Sequence, residues 1–163
     1  MIRPASVNDL TAILDIMNDA ILNSTSIYDY DARPAAYVND WFAQKQSAGF
    51  PVLVYENDGA VAGYGTYGNF RPWQAYRFSV EHSIYVHKDH RGKGIGSVLL
   101  KALVYKATEE GYHTMIAGID ASNESSISFH KRAGFEEAGK IKEAGYKFDK
   151  WLDLVFMQLI LKN

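Results

Sequence analysis

One segment restricts the fold of this chain more than any other. SVEHSIYV, residues 79–86, alternates its side chains in the manner of a strand. HKDHRGKGIG, residues 87–96, follows at once, with three glycines and the cations Lys88, Arg91 and Lys93 beside His87 and His90. From Ile95 to Glu110 the pattern is helical: Ile95, Leu99, Leu103 and Ala107 recur at i+4, and Gly111 ends the run. A strand that passes into a helix through a glycine loop calls for a sheet with helices packed on it.

The rest of the chain supplies those layers. Ile2 to Ala5 reads as a short strand, and Ser6 or Asn8 caps a helix carrying Leu10, Ile13, Leu14, Met17 and Ile21. SIYDYDARP, 26–34, is irregular and aromatic, and Pro34 opens a second helix that Gly49 ends. PVLVYE and AVAGYGTYGNF form a hairpin around Asn57-Asp58-Gly59. NFRPWQAYR, 69–77, is a loop and MIAGI, 115–119, a buried strand; Asn123 caps a short helix stopped by Gly134, and 137–145 and 151–161 close the chain as strands. The expectation is a single α/β (α+β) domain over 1–163, with a mixed central sheet flanked by helices.

The glycine loop points to an anion. A helix start exposes backbone N–H groups without intrahelical partners, its dipole adds partial positive charge, and glycines let a phosphate approach. Arg91 and Lys93 would add full charges at the rim. R-x-x-G-x-G is neither the G-x-G-x-x-G of dinucleotide folds nor a P-loop, and by itself it also fits a solvated turn with a helix cap. Formal net charge is −2, so the basic loop is a local feature, which argues against general nucleic-acid or membrane-surface binding. With no cysteine in the chain, thiolate metal sites and cysteine nucleophiles are excluded, and no metal is expected. The N-terminus has no apolar run of signal-peptide length, which places the protein in the cytoplasm.

A second block narrows the reading. NESSISFHKRAGF, 123–135, repeats a strand-to-helix junction with an asparagine cap. The two blocks together resemble the GNAT superfamily of N-acetyltransferases: 84–110 is similar to its pyrophosphate-binding motif, and 113–135 to the β-α block that follows, with His130 where the superfamily commonly has tyrosine. SVEHSIYVHKDHRGKGIG, FHKRAGF and AGYKFDKWLDLVFMQ further resemble the phosphinothricin and methionine sulfoximine acetyltransferase branch, with similarity from Ile2 to Gln158.

The resemblance implies transfer of acetyl from acetyl-CoA to an amine, with the co-substrate between splayed strands. It assigns the diphosphate to Arg91, Gly92, Lys93, Gly94, Ile95, Gly96 and Ser97, and the pantetheine and oxyanion contacts to the backbone of Ile84, Tyr85 and Val86, with Asn123 and Ser126 beside them. An amine is protonated near neutral pH, so a base must act first. Glu81, on the strand face of Ser83 and Tyr85, fits that role, and His130 is the other proton-handling candidate. Read without the resemblance, Glu81 is an ordinary strand glutamate, His130 a packed histidine and Asn123 only a cap. His82, of opposite parity to Glu81, reads as structural.

For the acceptor, Arg71 and Arg77 could grip a carboxylate, Trp73 and Tyr76 wall it, and Tyr28 close it; a surface hairpin with solvated arginines is the plain reading of the same loop. A small amino-acid-like amine fits best, since a polyamine or aminoglycoside would favour an acidic pocket. A protein N-terminus is the other acceptor to weigh, and a non-catalytic acyl-CoA-binding module would keep the 91–96 cradle without needing Glu81 or His130. The apolar final strand and the aromatic content suggest a homodimer, with Lys147 and Trp151 at a subunit interface.

Overall fold

The computed structural model describes residues 1–162. In chain order the elements are β1 (Ile2–Pro4), α1 (Leu10–Asn23), α2 (Ala35–Ser47), β2 (Val52–Asn57), β3 (Ala60–Asn69), β4 (Ser79–Val86), α3 (Ile95–Glu109), β5 (Thr114–Asp120), α4 (Glu124–Arg132), β6 (Glu136–Lys147) and β7 (Lys150–Ile160). The strands form one mixed sheet in the order β1-β2-β3-β4-β5-β7-β6. Each expected element is present, with boundaries shifted by a few residues.

Alternation along the strands divides the core into two layers. Val52, Val54 and Tyr64 face α1 and α2, packing on Ile13, Met17, Ile21, Val38 and Phe42. Leu53, Tyr67, Val80 and Met115 face the other way, onto Leu99, Leu100, Leu103 and Ala107 of α3. Leu103 is fully buried, a contribution of roughly 1.5–3 kcal/mol from burial of its side chain. No helix among the described residues is long and apolar enough to cross a membrane.

The sheet is incomplete at one place. β4 and β5 run parallel but pair only over Ser79↔Thr114, Val80↔Met115 and Glu81↔Ile116. Beyond Glu81, β4 keeps its ladder with β3 as far as Val86, while β5 follows β7 as far as Asp120. The two strands part, and the site lies in the fork.

The closing hairpin differs from expectation. β6 and β7 continue to a tight turn at Phe148 and Asp149, both at positive φ (52° and 57°). Asp149 is a residue that tolerates the left-handed region, but Phe148 is not, so the sequence signal stops short of the turn. β7 pairs on both sides, with β5 and with β6, and its Val155 and Met157 are buried in the α3-side core. Lys147 is buried within its own chain rather than presented to a partner.

Candidate active site

The start of α3 is shaped for an anion. Gly92 and Gly94 hold positive φ, 76° and 78°, where a residue bearing a Cβ is strained. Val98 is the first residue of the helix whose N–H finds a helical acceptor, the Gly94 carbonyl at 3.2 Å. The N–H groups of Ile95, Gly96 and Ser97 have no protein acceptor among the described residues. A Cβ at Gly96 would meet only Phe129 at 3.7 Å and Val86 at 3.9 Å, ordinary contacts, so protein packing does not require glycine there. Unpaired amides, helix dipole and bare backbone together suit a diphosphate.

The side-chain cations contribute less than their number suggests. Arg91 borders the cavity, but its guanidinium pairs with Asp19 of α1 at 2.8 Å and its Nε donates to the Val86 carbonyl. It ties the loop to α1. Lys93 turns back to the Asp89 carbonyl at 3.1 Å and is not part of the cavity wall, whereas Arg132 of α4 is.

One cavity of about 760 Å³ runs through the fork. Its wall includes Ile84, Tyr85, Val86, Gly94, Ile95, Gly96 and Ser97, and on the far side Asn123 and Ser126. Asn123 spends its side-chain carbonyl on the cap, accepting from Ser126 N–H at 3.1 Å and the Ser125 hydroxyl at 2.9 Å. Its amide group has no protein partner among the described residues, so cap and ligand contact are compatible.

Glu81 sits at the point where the ladder stops. A Cβ on Gly118 would lie 3.0 Å from Glu81 Oε1, so the carboxylate rests over bare β5 backbone. Burial pushes the Glu81 carboxyl above the usual carboxylate range, and the charge of Arg71 opposes that rise. His82, the next residue, points to the opposite face of the sheet. There its Nε2 meets His130 Nε2 at 3.1 Å, while His130 Nδ1 is 2.7 Å from the Ser126 carbonyl. Burial lowers both imidazoles, His82 to about 3, and the Ser126 carbonyl partly offsets the effect on His130. Since a carbonyl can only accept, His130 Nδ1 carries the proton, His82 donates from Nε2, and His82 Nδ1 is left buried without a partner.

Comparison with known proteins agrees with this geometry. The model of the acetyltransferase (GNAT) domain matches residues 2–156. The chain belongs to the GNAT acetyltransferase family. It is 46% identical to the L-methionine sulfoximine/L-methionine sulfone acetyltransferase of Pseudomonas aeruginosa, over 98% of this chain and 94% of that protein. A GNAT-superfamily phosphinothricin acetyltransferase of Sinorhizobium meliloti, solved in complex with acetyl-CoA, is 40% identical; it superposes with a TM-score of 0.96 over 99% of this chain and 88% of the other. A structure described as ribosomal-protein-alanine N-acetyltransferase of Brucella melitensis is 46% identical, with a TM-score of 0.97 over 99% of each chain.

Within this GNAT chain the expected residues fall into two sets. Glu81, Ile84, Tyr85, Val86, Arg91, Gly92, Gly94, Ile95, Gly96, Ser97, Asn123, Ser126, His130 and Tyr28 all border the cavity. Arg71, Trp73, Tyr76 and Arg77 do not. Their loop folds on itself: Arg71 lies over the Phe70 ring and donates to the Phe70 carbonyl, Arg77 covers Phe78, and Phe70 packs on Tyr76 and on Phe156 of β7. Of these four, Arg71 alone reaches the site, through its field on Glu81.

Thr25, Gly118 and Asp120, which the sequence does not single out, and His82, which it marks as structural, also border the cavity. A lone glycine in a strand pattern at 118 is a recognised sign of close approach. The contact of His82 with His130, 48 residues apart, has no such sign. Among the described residues no cluster of His, Cys, Asp and Glu is placed to hold a metal ion.

Proposed function

We propose that this GNAT enzyme moves the acetyl group of acetyl-CoA directly to the α-amine of a small amino-acid-like acceptor of the methionine sulfone, methionine sulfoximine or phosphinothricin type. The observation that carries this reading is the fork itself, where one cavity joins unpaired amides at the start of α3 to a half-buried carboxylate, Glu81. Bound acetyl-CoA supplies the activated thioester. The amides of Ile95, Gly96 and Ser97 hold its diphosphate, and the free side of β4 beyond Glu81 offers backbone groups to its arm and to the carbonyl oxygen. Glu81 takes the ammonium proton of the acceptor, directly or through water, so that the nitrogen lone pair can attack the thioester carbon. The C–S bond then breaks, and CoA leaves as its thiol with the proton the nitrogen loses on forming the amide. Its raised pKa suits it to hold that proton.

His130 stands second to Glu81 as a base, because both its nitrogens are engaged inside the protein. We assign it the task of shaping the α4 wall and place the acceptor on the α1–α2 face with Glu81, Thr25 and Tyr28. Arg71 acts there on Glu81 and, from the rim, on the acceptor carboxylate. The names of the P. aeruginosa and S. meliloti relatives support the acceptor class. We also infer a homodimer, supported by the exposed apolar side chains Ile141, Tyr146, Phe148 and Trp151 on the β6–β7 hairpin, and a cytoplasmic location, where acetyl-CoA is available.

The Brucella protein's description favours a second acceptor, the N-terminal alanine of a protein. A thiol-release assay with acetyl-CoA separates the two. Methionine sulfone, methionine sulfoximine and phosphinothricin should be turned over faster than a peptide beginning with alanine; preference for the peptide would establish the second reading in place of the first.

A further inference from the structure

The segment that walls the cavity on the α1–α2 face is held in place from β6. Residues 24–34 contain no helix or strand, yet Thr25, Ser26 and Tyr28 border the cavity. Lys147 Nζ, at the end of β6, donates to the carbonyls of Ile21, Ser24 and Ile27 at 2.5, 2.8 and 2.7 Å. Ile21 and Ser24 belong to the C-terminal end of α1, where free carbonyls and the helix dipole favour a cation. Tyr30 donates its hydroxyl to the Tyr146 carbonyl, and Thr25 donates to buried Asp120. The segment is therefore tied on both sides of Tyr28.

Between these ties, Tyr28 meets Gly145. A Cβ on Gly145 would lie 2.7 Å from Tyr28 Cε2 and 2.8 Å from Cδ2, closer than packed atoms come. Gly145 is not at positive φ, so its backbone would accept alanine; the ring is what excludes a side chain. The position is set by a bulge: the β6–β7 register slips between Ile141 and Gly145, with Glu143 at φ 51° and its N–H bonded to Asp153 at 2.9 Å.

We propose that Gly145 is a positioning residue for the acceptor: it lets the Tyr28 ring lie against β6 and so sets the width of the acceptor side of the cavity. Because the segment is tied at Lys147, Tyr30 and Thr25, a methyl group at 145 displaces the ring rather than the whole segment, and the ring moves into acceptor space. This rests on the reading that the Tyr28 face receives the acceptor.

The test is a double-substitution cycle on the full chain, with the best acceptor of the thiol-release panel varied and acetyl-CoA affinity measured by calorimetry. Gly145→Ala raises the acceptor KM about tenfold, leaves kcat within about twofold and leaves the acetyl-CoA Kd unchanged. In the Tyr28→Ala background, where no ring remains to displace, Gly145→Ala adds no further increase. If the full increase persists without the ring, Gly145 does not act through Tyr28 and the proposal is overturned. If Tyr28→Ala leaves the acceptor KM unchanged, the acceptor face itself is misassigned and the proposal falls with it; the two failures are told apart by which variant departs. A Gly145→Ala protein that loses thermal stability but keeps the wild-type KM reduces the glycine to a packing role and also overturns it.

Discussion

His82 and His130 face each other through their Nε2 atoms at 3.1 Å, and the second nitrogen of His130 is bound to the Ser126 carbonyl at 2.7 Å. The pair thus has no free lone pair on His130. Its one open nitrogen is His82 Nδ1, which is buried. Glu81, one residue before His82, points to the other face of the sheet and into the opening between β4 and β5. This division, with histidines paired on the α4 side and a carboxylate exposed to the cavity on the α1–α2 side, is the ground for proposing Glu81 rather than His130 as the base.

The histidine pair makes the fold sensitive to acid. Burial holds both imidazoles below their ordinary pKa, so the unfolded chain binds protons that the folded one refuses. Stability is complete above about pH 6.5, the unfolded value, and declines as pH falls from there toward about 3, where His82 itself accepts a proton. The slope from His82 approaches about 1.4 kcal/mol per pH unit, and His130 adds in the same direction. Urea unfolding at about pH 7.5 and about pH 5.5 should show a smaller difference for His82→Phe than for the wild type; equal differences would show that His82 is not buried neutral.

Glu81 should set the acidic limb of the rate profile. As the proposed base it works deprotonated, and its pKa is raised, so kcat/KM should rise with pH through a value above the ordinary carboxylate range. Glu81→Gln removes this limb and lowers kcat by roughly 10²–10⁴-fold, the usual share of a general base. Arg71 opposes the rise in Glu81, so Arg71→Ala should move the limb to higher pH. A limb that stays in place in Arg71→Ala would separate that arginine from the site.

Gly118→Ala should act on Glu81 without touching the cofactor cradle. The added Cβ would lie 3.0 Å from Glu81 Oε1 and must push the carboxylate aside. A displacement of this kind costs up to about a hundredfold in kcat, with the acetyl-CoA Kd unchanged by calorimetry. Unchanged turnover would mean that the carboxylate's resting place over β5 is unimportant.

Lys147 should matter for stability more than a surface lysine does. Lys147→Met leaves three backbone carbonyls near the end of α1 without their donor, a loss of about 3 kcal/mol or more. Chemical denaturation measures it directly. A change under about 0.5 kcal/mol, the range of ordinary surface substitutions, would contradict the bonds described.

How far the sequence reveals this molecule depends on the range of the interaction. Helix α3 is legible because Ile95, Leu99, Leu103 and Ala107 repeat at helical spacing, and the β2–β3 hairpin because Asp58-Gly59 is a recognised turn pair. The anion cradle is legible because its three glycines, Gly92, Gly94 and Gly96, fall within five residues. The fork is legible only through the family resemblance, which implies splayed strands; strand parity gives the face of Glu81 but cannot say that the ladder with β5 ends there. The contacts of His82 with His130 and of Lys147 with Ile21, which the chain brings together from 48 and 126 residues apart, are not legible. Arg71 and Arg77 are the reverse case: their composition suggests a carboxylate clamp, while packing on Phe70 and Phe78 keeps them out of the cavity wall, and only Arg71, from the rim, is proposed to act on the acceptor.

Product analysis tests the central claim most directly. Methionine sulfone incubated with acetyl-CoA and the purified protein should gain one acetyl group on its α-nitrogen, in step with the CoA released, and Glu81→Gln should suppress both together. Release of CoA without an acetylated amino acid, or undiminished acetylation by Glu81→Gln, would contradict it.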